Sequence, residues 1–96
     1  MHELKLVSKS KHVLKPIVEA ALENELRLIE AGIRQTEQSL EKFEKKFQLK
    51  TQDFIASYEN DKLEETMDFI EWIGEFRLLE RLNEKADTLR SIRFAS

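Results

Sequence analysis

Two histidines, His2 and His12, are the side chains of this chain that titrate near neutrality, and both lie close to the amino terminus. Neither belongs to a set with the pattern of a nucleophile, its base and the group that orients the base. The chain has no cysteine, which removes thiolate metal sites, cysteine nucleophiles and disulfides together. Its two glycines, Gly32 and Gly74, stand too far apart for a phosphate-cradling loop. A metal site inside a helix bundle would use inward carboxylates with a Glu-x-x-His pair, and no such pair occurs. The remaining candidate is the run Asp61, Glu64, Glu65 and Asp68, which could attract a hard cation. It lacks the alternating Asp/Asn spacing and the glycine of a calcium loop and reads as a solvated acidic turn at a helix start. The expectation is a chain with no catalytic residues, no metal and no cofactor, whose work is binding.

Charge says what kind of binding. The net charge is only −3, but it is unevenly spread. Residues 1–16 set Lys5, Lys9, Lys11 and Lys15 against Glu3, a net of +3. Residues 51–76 set Asp53, Glu59, Asp61, Glu64, Glu65, Asp68, Glu71 and Glu75 against Lys62, a net of −7. Residues 77–96 return to +2. The acidic block would repel nucleic acid and attract a basic partner. The basic arm has two readings. It could neutralise a few phosphates through Lys9, Lys11 and Lys15, as a weak DNA-binding autoregulator would, or it is a solubilising tail.

These residues need elements to position them. A chain of 96 residues makes one domain at most, and with 36% charged residues, one proline and two glycines it is built for long helices. Residues 3–7 alternate briefly and could form a short strand, pairing with a second copy or standing as an extended arm. The arm is assigned to 1–15. Pro16 suits the first position of a helix, where its missing N–H costs nothing. Leu22, Leu26, Ile29, Ile33, Thr36, Leu40, Phe43 and Phe47 then follow at 4-3-4-3-4-3-4 spacing, a heptad seam interrupted only by Thr36. Glu23 with Arg27 and Glu41 with Lys45 are i,i+4 pairs of favourable orientation on its flanks. Helices are expected at about 16–48, 52–59 and 64–91, the second capped by Thr51, the third with Thr66 as an alternative start.

The third helix carries Phe69, Trp72, Ile73, Phe76, Leu79, Leu82, Ala86 and Leu89, and Met67, Ile70 and Leu78 widen that stripe beyond what one neighbour covers. The fold expected is therefore all-α, over residues 16–96: an antiparallel hairpin of two long helices with a short connecting helix, dimerising into a four-helix bundle. Phe54, Tyr58, Phe69, Trp72, Ile73 and Phe76 read either as plain core or as binding anchors. Interleaved with Asp68, Glu71 and Glu75, they have the composition a basic partner would accept. No apolar run approaches the length of a membrane span and no signal-peptide core opens the chain, so a cytoplasmic protein is expected.

The stretch Leu40-Glu-Lys-Phe-Glu-Lys-Lys-Phe47, then Leu49-x-Thr51-x-Asp-Phe54-Ile, Tyr58-Glu and Asp68-Phe-Ile-Glu-Trp72 resembles small helical antitoxin-like proteins of prokaryotic toxin–antitoxin operons. The resemblance covers about residues 40–85. In that family a glycine usually follows the aromatic, where this chain has Gln48. A glycine-bearing acidic loop is replaced here by residues 60–66. The resemblance implies neutralisation of a basic toxin, a ribonuclease by expectation, with Phe54, Phe69 and Trp72 as the motif positions carried over. The alternative is a dimerising helical scaffold or adaptor with no toxin partner.

Overall fold

The computed structural model describes residues 2–4, 11–60 and 63–94, with side chains over 14–60 and 63–92. Three helices make the fold: α1 (Lys11–Phe47), α2 (Thr51–Glu59) and α3 (Met67–Arg90). A short strand stands at each end, β1 (His2–Leu4) and β2 (Ile92–Phe94), and the two pair in parallel with His2 opposite Ile92 and Leu4 opposite Phe94. The amino-terminal strand thus finds its partner in the chain's own carboxy-terminal end, where the sequence had suggested a second copy or an unpaired arm. A parallel pair needs a long crossover, and here the whole helical body is that crossover.

The long helices pack side by side in opposite directions. Lys46 of α1 meets Asp68 at the start of α3, Gly32 faces Leu82, and Glu30 meets Arg90 at the end of α3. All of the heptad seam is spent inside this hairpin. Ile29, Thr36 and Leu40 are buried, and Leu22, Leu26, Ile33, Phe43 and Phe47 are half-buried. Thr36 fits the apolar seam because its hydroxyl donates to the carbonyl of Gly32, one turn back, at 2.8 Å.

Helix limits depart from expectation at three points, each for a local reason. α1 starts at Lys11, so Pro16 sits inside it rather than at its first position. One backbone hydrogen bond is forgone there. α1 ends because Gln48 adopts a left-handed backbone, φ 52°, and the Leu49 N–H returns to the Glu44 carbonyl at 3.2 Å. That six-residue closure, with Leu49 packed against the buried cluster, is the Schellman arrangement, and a glycine would adopt its turn without strain. Gln48 compensates by donating its side-chain amide to the Lys45 carbonyl at 2.8 Å. Thr66 proves to be the N-cap of α3, its hydroxyl accepting the Phe69 N–H at 3.1 Å. Of the expected flanking pairs, neither Glu23–Arg27 nor Glu41–Lys45 closes; among the described residues Lys15–Glu19, at 3.9 Å, is the i,i+4 ion pair that forms.

The two glycines lie in helix interiors, where each costs about 1 kcal/mol relative to alanine. A methyl group at Gly74 would meet nothing within 4 Å, and one at Gly32 would touch Leu82 at 3.4 Å. Gly74→Ala is therefore expected to stabilise the fold by about 1 kcal/mol, raising the midpoint of thermal unfolding by roughly 4–8 °C in a circular-dichroism melt. Gln48→Gly should give a smaller gain, because it relieves the left-handed turn but forfeits the bond to Lys45.

Candidate functional site

Residues 51–60 hold α2 and residues 63–76 lead into and form the first half of α3, at the closed end of the hairpin. Trp72 organises this region. Its ring lies parallel to Phe54 at 3.8 Å between centroids and 6° between planes, with Phe43 at 5.6 Å and Phe47 at 5.7 Å also stacked. Phe69 tilts against both Phe47 and Phe54 at 5.2 Å, and Tyr58 closes the set at 6.1 Å from Phe54. Phe54 and Trp72 are fully buried.

The indole N–H is buried too, so it must find an acceptor. It donates to the Thr51 hydroxyl at 3.0 Å. This corrects the expected role of Thr51, which is the first residue of α2 and not its cap. The cap position belongs to Lys50, which makes no side-chain cap bond. The Thr51 N–H is instead satisfied by the Glu44 carboxylate of α1, at 2.8 Å. A backbone donor, a hydroxyl and an indole thus link α1, α2 and α3 in one short polar chain through an apolar cluster. Sequence reading missed the roles of Glu44 and Thr51, since neither spacing nor composition marks a pair seven or twenty-one residues apart.

The expected binding residues divide accordingly. Phe54 and Trp72 cannot serve as contact anchors in this fold, because they have no surface to offer. Tyr58, Phe69, Ile73 and Phe76 are half-buried against the same cluster. What α3 does present is its opposite face. Met67 is 72% exposed and Ile70 49% exposed, and Leu78 continues the line. Glu64, Glu65 and Glu71 stand exposed around Met67 and Ile70, with Asp68 and Glu75 half-buried beside them. Lys46 reaches Asp68 at 2.6 Å, and the Tyr58 hydroxyl donates to Glu65 at 3.4 Å. No lysine or arginine occurs between residues 63 and 76 to neutralise the rest. Exposed apolar side chains with carboxylates on one flank therefore lie one helix face away from the aromatics, and exposed Arg77, two turns beyond Ile70, shares that face.

Among the described residues, no three His, Asp or Glu side chains come together as metal ligands. Asp61 of the acidic run lies outside the described residues, as does Lys9 of the basic arm, and Lys11 and His12 are described in backbone only. Lys15 is exposed beside Glu19. No described helix is long and apolar enough to cross a membrane. Comparison with protein-family profiles, with curated proteins and with solved structures gave no match.

Thr51→Val keeps the shape of the cluster but strands the indole N–H. It is expected to cost about 1–3 kcal/mol of stability by urea unfolding. Thr51→Ser retains the acceptor and should cost less. Trp72 is the single tryptophan, so its fluorescence reports this site directly.

Proposed function

We propose that this chain is a protein-binding antitoxin, a helical hairpin acting as a homodimer, whose acidic face on α3 covers a basic cognate toxin. The observation that supports the reading most is the surface pairing of Met67 and Ile70 with Glu64, Glu65, Asp68 and Glu71. Neighbouring exposed apolar side chains serve as anchors when a partner covers them. The surrounding carboxylates would steer a cationic partner and exclude acidic ones. The resemblance over residues 40–85 supplies the particular partner class, a toxin with a basic substrate-binding cleft such as a ribonuclease. In this reading the aromatics act as the platform that holds α2 and α3 in place, while the anchors are the outward residues of the same helix.

The test is coexpression with the product of an adjacent gene that arrests growth by itself. The chain should restore growth and copurify with that product. Met67→Ala with Ile70→Ala should weaken the complex at least tenfold while leaving the circular-dichroism spectrum unchanged, since both side chains are exposed. Glu64→Lys with Glu71→Lys should slow association and flatten its salt dependence. A set of neighbouring gene products of which none is toxic and none copurifies ends the proposal.

A further inference from the structure

The face of α1 that meets α3 is not its only regular one. Leu14, Ile17, Ala21, Asn24, Leu28, Ala31 and Gln35 follow one another at 3-4-3-4-3-4 spacing. At 100° per residue this second heptad line lies roughly 130° around the helix from Leu22, Leu26, Ile29 and Ile33. None of its seven residues is charged, in a chain where 36% are. Most of it is uncovered by the hairpin: Ile17 is 61% and Leu28 60% exposed, Ala21, Asn24, Ala31 and Gln35 are exposed with them, and Leu14 is half-buried.

The dimensions of the chain say that it has surface to spare. Its radius of gyration is 18.9 Å and its longest extent 59 Å, where a compact chain of this length would have a radius of about 12.5 Å. It exposes 7575 Å², about 1,800 Å² more than expected for a folded monomer of this mass. A stable interface takes about 800 Å² from each partner. Much of the length comes from α1, whose 37 residues outrun the 24 of α3.

We infer that the second heptad line of α1 packs against the same line of a second copy, antiparallel, with Ile17 level with Leu28 of the other chain and Leu14 level with its Ala31. Ile17 then packs on Leu28 and Leu14 on a small residue, and Ala21 stands level with Asn24 of the second copy, letting the helices approach closely at the centre. Asn24 falls next to Asn24 of the second copy across the two-fold axis. A lone amide pair in an apolar seam fixes register, since any slip buries the amides without partners. The helix dipoles oppose one another in the antiparallel pair and align in a parallel one, which favours the antiparallel direction. The acidic face of α3 is not used, so two such faces remain outward. This rests on the homodimer of the functional reading but not on the toxin.

Light scattering after size exclusion should give the intact chain twice its 11.4 kDa mass at tens of micromolar. Ile17→Asp with Leu28→Asp should yield a monomer with unchanged helical signal, because neither side chain is packed in the hairpin. Ile70→Asp on α3 should leave the dimer intact. The chain contains no cysteine, so single cysteines read the direction. Ala21→Cys should cross-link on oxidation, the two positions lying about 4.5 Å apart along the axis. Ile17→Cys should not, since its copies would be about 16 Å apart along it, beyond disulfide reach. A monomeric intact chain overturns both the interface and the homodimer. A dimer that survives the double aspartate variant, or dissociates with Ile70→Asp, or cross-links equally at both cysteines, overturns the interface alone. Growth rescue in coexpression reports separately on the toxin reading.

Discussion

Burying an indole ring is favourable only if its N–H is given an acceptor, and in this chain that requirement falls on Trp72. All three helices contribute to meeting it. Phe43 and Phe47 of α1 and Phe54 of α2 stack on the ring, and the Thr51 hydroxyl accepts the hydrogen bond from its N–H. Thr51 is itself held at its backbone by Glu44 of α1. α2 has nine residues, too few to be a stable helix alone. Its order comes from contributing Thr51 and Phe54 to the indole's surroundings. The turns on either side are in turn constrained, because α1 must stop at Gln48 and α3 must start after Thr66 for the three elements to converge.

The open end is held by weaker and more varied means. Ala86 is buried there, small enough for α3 to lie close to α1, and Leu82 rests over the bare backbone of Gly32. Arg90 bridges Glu30 and Asp87 in exposed positions, where ion pairs contribute at most about 1 kcal/mol. The parallel pairing of β1 with β2 adds backbone bonds between the chain's two ends. Packing is therefore densest around the tryptophan and thins toward the termini, and the first half of α1 has the least of its own chain to lie against.

The three helices and the heptad seam were legible because a 3.6-residue period in apolar side chains is strong over long segments. Thr66 could be weighed as a cap from its type alone. What spacing could not resolve was which of two partners a residue meets. Pro16 was placed at a helix start by its usual preference, yet the helix extends one turn further back and tolerates it. Thr51 had the type of a cap, but a tertiary donor claimed its hydroxyl. The aromatic cluster was visible as a set, and both core and interface were consistent with it. Only the fold shows that Phe54 and Trp72 are enclosed. The pairing of β1 with β2 joins residues at opposite ends of the chain, and no local pattern announces such a contact.

One consequence of helical periodicity decides where a partner can bind. Trp72 and Phe76 face the core, so residues half a turn away from them must face solvent, and those are Met67, Ile70, Gly74 and Leu78 among the carboxylates. Two of the acidic residues tie elements together: Asp68 accepts from Lys46 of α1, and Glu65 accepts from Tyr58 of α2. Apart from Asp68 with Lys46, the carboxylates between 63 and 76 have no ion-pair partner among the described residues, and like charges at this density raise the energy of the folded state. Such repulsion is relieved when a cationic surface docks, so the same charges that tax the free hairpin would favour its complex. Folding alone would be better served by lysines scattered among those glutamates. Under the proposed function the exposed glutamates would favour a basic partner over an acidic one, with Met67 and Ile70 as its contacts rather than the buried rings.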